Sequence, residues 1–340
     1  MLHHTASSVS EPHTAAATLG SNAALVVQVL LSQPRGFCAG VVRAIEIADR
    51  ALELHGAPIF IFHEIVHNGH VVAELRQRGV VFVNELSEVP SGAVTIFSAH
   101  GVSLAVVREA QLRGLNVIDA TCPLVSKVHQ QAQRYSRSGH TLIVIGHAGH
   151  EEVEGTLGRV NTPVHLVSKQ ADVATLDLPA DTLLAYVTQT TLSLDDTRDI
   201  IAALTQRFPH IKGPHTDDIC YATQNRQNAV RELAKQVELI LVVGSRNSSN
   251  AARLREVAAQ QGVAAYLVQD ESEINPHWLT SLQRIGVTAG ASTPEVLVQR
   301  VAHRLSQLSA ANVMQSDVLN PRLEEGIVFR LPVALLRRAA

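Results

Sequence analysis

Long apolar runs are missing from this 340-residue chain. None approaches the roughly 20 residues that span a bilayer, so no membrane segment is expected and the protein is read as cytoplasmic. A surplus of one charge is missing too. The formal net charge is −3, which offers no basic surface to nucleic acid. Aromatic residues make up 4%, with Trp278 the single tryptophan, so base-stacking platforms are not expected either. Residues 1–24 contain no Lys or Arg, and the first basic residue is Arg35. Such a stretch lacks the basic start of a signal peptide and the arginines of a transit peptide, and it is read as a disordered extension. No G-x-x-x-x-G-K-[ST] and no G-x-G-x-x-G after a strand occurs, so there is no fingerprint for a nucleoside triphosphate or a dinucleotide. Electrons for any redox chemistry would then arrive from another protein.

Cysteine is scarce as well, with three residues in the whole chain. An odd number at low density does not make a disulfide scaffold and points to a reducing compartment. What is present turns on those three. Cys38, Cys122 and Cys220 stand at the heads of GFCAGVVRAIEIADRAL, ATCPLVSKVHQQAQRY and DICYATQNRQNAVRELA. Each of these segments reads as a helix. Val41, Ile45 and Ala48 share one helical face, as do Val125, Val128 and Ala132. After each cysteine a β-branched run ends in a polar cluster, and a second run ends in a second cluster.

Strands are expected at Ala24–Leu31, Pro58–Phe62, Val80–Val83 and Val94–Phe97. They are also expected at Thr141–Ile145, Val164–Val167, Leu183–Val187, Glu238–Val243, Ala264–Val268 and Arg284–Thr288. Short strands alternating with helices build parallel βαβ units. The repeat predicts an α/β protein of three small αβ domains, with mostly parallel sheets in pseudo-threefold arrangement around a central site. The expected domains are 25–119, 120–217 and 218–312. Residues 313–340 are expected to pack on the body as a tail, with a strand signal in EEGIVFRLPVAL.

The first polar clusters are HEIVHNGH (63–70), IGHAGHEEVEG (145–155) and GSRNSSNAARL (244–254). The second are SAHGVS (98–103), TQTTLS (188–193) and TAGASTP (288–294). Ligands of parallel sheets gather beyond the carboxyl ends of strands, where all six clusters fall. HEIVH matches the zinc-protease pattern, which needs a helix. On the strand-like continuation expected here, His63 and His67 would stand about 13 Å apart and could not share one ion. His147, His150, Glu151 and Glu152 have the residue types of a metal site, and equally those of a polar turn after a buried strand. Glu152, in a closed cavity, would have a raised pKa and serve as a proton donor. Seven further residues, His67, His100, Thr190, Ser248, Ser249, Asn250 and Ser292, form a donor-rich set. None of them is Lys or Arg, and together they suit a diphosphate or carboxylate. Soft thiolates select zinc or an iron–sulfur cluster. A structural zinc would want a fourth protein ligand, whereas a cluster held by three cysteines leaves one iron open.

These motifs together resemble one family, the 4-hydroxy-3-methylbut-2-enyl diphosphate reductases, also called LytB or IspH. The resemblance rests on PRGFCAG (34–40), HEIVHN (63–68), SAHGVS (98–103), DATCPLVSKVH (119–129) and GHAGHEEVEGTLG (146–158). It continues through VTQTTLS (187–193), ICYATQNRQ (219–227), GSRNSSN (244–250) and TAGASTPE (288–295). It implies a [4Fe-4S] cluster on Cys38, Cys122 and Cys220, with one iron not ligated by cysteine. It also implies a diphosphate held by His67, His100, Ser248, Ser249, Asn250 and Ser292. His150, Thr190 and Glu152 would surround the substrate's hydroxyl, with Glu152 delivering protons. The implied reaction is reductive dehydroxylation to isopentenyl and dimethylallyl diphosphate, the last step of the methylerythritol phosphate route, with ferredoxin or flavodoxin as electron donor. Val42, Phe62 and Gly69-His70 depart from the family pattern, and none is an expected ligand. The alternatives are an iron–sulfur dehydratase acting on a small anion, an iron–sulfur redox sensor and, weakest, a zinc hydrolase.

Overall fold

In a computed structural model of the chain, residues 27–214, 217–280, 282–308, 314–318 and 325–336 are described. The expected N-terminal extension lies outside them. The chain begins with β1 (Gln28–Ser32), α1 (Ala39–His55), β2 (Ile59–Phe62), α2 (Gly69–Gln77), β3 (Val80–Val83), β4 (Val94–Phe97), α3 (Leu104–Leu112) and β5 (Asn116–Asp119). It continues with α4 (Pro123–Arg137), β6 (Thr141–Ile145), α5 (Glu151–Leu157), β7 (Val164–Val167), α6 (Gln170–Thr175), β8 (Leu184–Thr188) and α7 (Leu194–Arg207). The last group is α8 (Tyr221–Ala234), β9 (Leu239–Val243), α9 (Ser249–Gln260), β10 (Ala264–Val268), β11 (Arg284–Ala289), α10 (Glu295–Leu308) and β12 (Met314–Val318).

The strands form three sheets, ordered β3-β2-β4-β5, β7-β6-β8 and β10-β9-β11-β1-β12. Every pairing is parallel. Parallel strands are covered on both faces, so they read as continuous apolar runs. β9, with the sequence LILVV, is buried throughout. Its Ile240 and Val242 pack with Val230, Leu233 and Leu254 of α8 and α9. Its Leu239, Leu241 and Val243 pack on the other face, with Val298, Val301 and Leu305 of α10. Each such side chain contributes about 1.5–3 kcal/mol by leaving water. In the first sheet, Ile59, Ile61 and Ile96 meet Ala44, Ile47 and Ala48 of α1, while Phe60 and Phe97 face Ala110 of α3. In the second, Ile143 and Ile145 meet α7 through Ile200 and Leu204, and Leu142 and Val144 meet α4 through Val128 and Ala132.

Sheet membership departs from the expected boundaries at two strands, because β12 of the expected tail also joins the third sheet. β1 precedes Cys38 but belongs to the third sheet, between β11 and β12. Val29 and Leu31 enter one apolar layer of that sheet, with α10, and Leu30 the other, with α8 and α9, so β1 completes the two layers of the third sheet. The strand signal placed in 324–335 is corrected as well. The tail's strand is β12, and residues 325–332 run as irregular backbone into a 3₁₀ turn at Val333–Leu335. Leu335 fills the core beneath α1, which explains the apolar run there. No helix among the described residues is long and apolar enough to cross a membrane.

Candidate active site

The three cysteines occupy one position in three helices. Cys38, Cys122 and Cys220 are the N-cap residues of α1, α4 and α8. Their backbone N–H groups donate to Ala291 O (3.1 Å), Ala99 O (2.9 Å) and Thr190 O (3.1 Å). Those acceptors lie in the second polar clusters, so each cysteine is anchored to the sheet of a different unit. All three side chains line one cavity of about 100 Å³ at the junction of the units, and none is in a disulfide.

The chemistry of this trio suits a metal cluster. Burial pushes the Cys122 thiol up to about 12, and charge on Cys38 and Cys220 adds to the effect. Burial likewise raises Cys220 to about 11. Thiols that resist ionisation together become thiolates when a metal supplies the opposing charge. The space between two sulfurs is kept clear by glycine: a Cβ on Gly40 would lie 2.8 Å from Cys122 Sγ and 3.7 Å from Cys38 Sγ. Three helix N-termini also favour negative sulfur there. The residues present therefore fit an iron–sulfur cluster held by three thiolates.

Beside the cysteines lies a protonatable carboxyl. Glu152 is buried, and burial raises it to about 7 against the opposing hydrogen bonds from Thr190. Thr190 N donates to Oε1 at 2.6 Å and Thr190 Oγ1 to Oε2 at 2.9 Å. His150 caps α5 by accepting the Glu152 N–H at Nδ1, 3.2 Å away. Burial lowers His150 to about 3, so the ring is neutral and carries its proton on Nε2.

The opposite wall suits an anion. The rings of His67 and His100 stack with centroids 4.1 Å apart, and the ring of His150 stands edge-on to both. Glu151 Oε2 meets His100 Nδ1 at 2.8 Å and Oε1 meets His63 Nδ1 at 3.3 Å. Glu64 meets His67 Nδ1 at 3.3 Å. Burial lowers the His100 pKa and Glu151 opposes it. Burial works against ionisation of Glu151, yet hydrogen bonds from His100 and His63 hold it well below the usual carboxylate range. Facing the histidines is the start of α9, where Ser248 is the N-cap and Ser249 and Asn250 open the helix. A helix start of this length offers N–H groups and a positive dipole end. Asn250 Oδ1 accepts from Ala291 N at 2.8 Å, and Ser292 Oγ donates to His67 O at 2.9 Å.

Every site residue expected from the sequence lines this cavity: Cys38, Cys122, Cys220, Glu152, Thr190, His150, His67, His100, Ser248, Ser249, Asn250 and Ser292. The quartet His147, His150, Glu151 and Glu152 is not one metal site. His147 is outside the cavity lining, and Glu151 turns toward His63 and His100. His63 and His67 likewise diverge, each to its own carboxylate. Ligand atoms of His67, His100 and Glu151 do lie within 4.8 Å of one another, an arrangement also explained by ion pairing between the carboxylate and a ring. Of the departures from the family pattern, Val42 is exposed and Phe62 fills the core beneath α3. Gly69 N donates to Ser245 Oγ at 3.1 Å, and none of these residues lines the cavity.

Sequence reasoning missed Thr223, Thr191 and Gln189. Thr223 is buried against Cys220, with Oγ1 3.2 Å from Sγ, and Asn250 Nδ2 donates to that hydroxyl at 3.3 Å. Gln189 Nε2 donates to Thr191 Oγ1 at 2.9 Å and to Ser249 Oγ at 3.3 Å, tying the second unit to the third. The signal for Thr223 was its place three residues after an N-cap, where a side chain returns to the cap.

A family model described as LytB protein matches residues 29–306. The chain is 58% identical over 310 residues to the 4-hydroxy-3-methylbut-2-enyl diphosphate reductase of Zymomonas mobilis, covering 91% of this chain and 90% of that protein. It is 60% identical over 309 residues to 4-hydroxy-3-methylbut-2-enyl diphosphate reductase 2 of Bradyrhizobium diazoefficiens, covering 91% and 99%. The solved structure of the E-1-hydroxy-2-methyl-but-2-enyl-4-diphosphate reductase from Plasmodium falciparum superposes with a TM-score of 0.86 at 37% identity, over 92% of this chain and 97% of that one. A second solved structure, titled as the terminal enzyme of the non-mevalonate pathway, gives a TM-score of 0.60 at 29% identity, over 83% and 100%.

Proposed function

The chain belongs to the LytB family, and we propose that its central cavity carries out the reaction for which its relatives are named. The protein is an oxidoreductase of isoprenoid biosynthesis, acting on 4-hydroxy-3-methylbut-2-enyl diphosphate at the end of the non-mevalonate pathway. One observation carries the residue-level reading: a buried carboxyl with a pKa of about 7 shares a cavity with three convergent cysteines and a helix start. Removing an allylic hydroxyl as water takes two electrons and two protons. It yields isopentenyl and dimethylallyl diphosphate, according to which carbon is protonated.

Cys38, Cys122 and Cys220 are the residues that would hold a [4Fe-4S] cluster, which supplies electrons and, at the iron without a cysteine, a Lewis-acid position. His67, His100, Ser248, Ser249, Asn250 and Ser292 bind the diphosphate. Its charge is met by the α9 dipole and by histidine protonation, which the anion itself favours. Glu152 holds a proton near neutral pH at the hydroxyl end, and Thr190 fixes its orientation. His150 keeps a neutral N–H donor in the same wall. Burial of these groups excludes the water that would otherwise compete for the proton. Electrons would come from a protein donor, ferredoxin or flavodoxin as the family resemblance implies. The test is iron and sulfide analysis of anaerobically purified protein, followed by turnover of the hydroxylated diphosphate with dithionite and a mediator. Iron bound in a cluster and reductant-dependent product support the reading. Absence of both after reconstitution overturns it.

A further inference from the structure

The segment in front of each cysteine is gripped by a cation from the helix behind another cysteine. Arg43 stands on α1, behind Cys38. Its Nη1 donates to the carbonyls of Ala120 (3.2 Å) and Thr121 (3.1 Å), the two residues before Cys122. Lys127 stands on α4, behind Cys122. Its Nζ donates to the Asp217 carbonyl at 2.9 Å and lies 3.6 Å from Asp218 Oδ1, both in the approach to Cys220. Arg226 stands on α8, behind Cys220, and returns to the beginning. Its Nε and Nη2 donate to Gly36 O at 3.1 and 2.7 Å, and Nη2 to Phe37 O at 3.4 Å, the two residues before Cys38. The grips run in one direction and close into a ring.

The cations recur at nearly one offset, five residues after Cys38 and Cys122 and six after Cys220. The gripped carbonyls precede helix N-caps and belong to no helix ladder. The C-terminal segment supports two of the three cations. Glu325 gives fully buried Arg226 its countercharge, with Oε1 2.7 Å from Nη1 and Oε2 3.3 Å from Nη2. The Arg330 carbonyl accepts from Arg43 Nε at 2.9 Å. A buried guanidinium is tolerated only when its donors and charge are met in this way.

We propose that Arg43, Lys127 and Arg226 are positioning residues that lock the three cysteines at one mutual spacing, each cation securing the cysteine of the next unit rather than its own. The inference rests on the reading that these cysteines hold the cluster. Three sheets with separate apolar cores can shift against one another, and a site made of one thiol from each would open when they do. Charge-assisted bonds across each junction oppose that shift.

The ring predicts a crossed response. Full-length protein purified anaerobically is challenged with an iron chelator in the presence of iodoacetamide, and the labelled cysteines are mapped by mass spectrometry. Lys127→Gln should label Cys220 first, about tenfold faster than the parent, as expected when one charge-assisted bond is lost. Arg43→Gln should do the same to Cys122. Arg226 is too buried for a clean replacement, so Glu325→Gln tests it, with Cys38 labelled first and Glu325→Asp restoring the parent pattern. Label falling first on the cysteine of the same helix, on all three alike, or in the parent order overturns the proposal. Protein that never holds iron would instead sink the cluster reading, while the labelling order would still decide the ring.

Discussion

Thr190 holds both oxygens of Glu152, its backbone N–H on one and its hydroxyl on the other. Both bonds favour the ionised carboxylate, yet burial outweighs them and leaves the group protonated to about pH 7. One residue therefore aims the acid without discharging it.

Replacing Glu152 by Gln keeps the shape and removes the proton. Iron content and substrate affinity should stay near the parent while turnover drops about 10²–10⁴-fold, the range for a positioned general acid. Steady-state kinetics beside an iron assay decide it, and a fully active variant would remove Glu152 from the reaction.

As the proposed proton donor, Glu152 acts in its acid form, so turnover should fall as pH rises through about 7. Thr190→Val deletes one bond to the charged form and raises the carboxyl further. The alkaline limb of the pH–rate profile should move to higher pH. A limb that moves down or stays fixed assigns it to another group.

Glu151 is the partner that favours protonated His100 and His63. Glu151→Gln should weaken diphosphate binding, raising KM about tenfold with a smaller change in kcat, as loss of one ionic hydrogen bond implies. Equal losses in both constants would place Glu151 in the chemical step instead.

Gly40→Ala replaces a glycine in the first turn of α1 by a better helix former. Its Cβ would nevertheless meet Cys122 Sγ at 2.8 Å. The expected result is a protein that has lost most of its iron and whose thermal midpoint falls toward that of the parent stripped of its cluster. Iron retained at the parent level would show that the sulfur has room to move.

Much of this was legible because the signals are local. Val80–Val83, Val94–Phe97 and Thr141–Ile145 form strands at their expected bounds, since both-face burial forces continuous β-branched runs. The twelve site residues stand at helix starts and strand ends, where residue type and position coincide. β5 was missed because it is an edge strand whose sequence, NVID, sets only Val117 and Ile118 between the exposed Asn116 and Asp119, so it lacks the continuous apolar run of the others. β1 was given to the wrong sheet because its apolar alternation says that it is covered, not by which helices. Arg226 and Glu325 lie far apart in sequence, and nothing near either one announces the other. The cations behind the cysteines were in plain view, but their partners belong to the next unit.

β1 pairs with β11 and β12, at the far end of the chain. As the protein leaves the ribosome from its N-terminus, the strand that leads into Cys38 emerges first and finds its neighbours last. The first and second sheets have all their strands earlier, so Cys122 can settle while Cys38 still waits. Iron delivered during synthesis would meet an unfinished cradle, and a cluster held by these cysteines, as proposed, would be completed only after the last strand has docked.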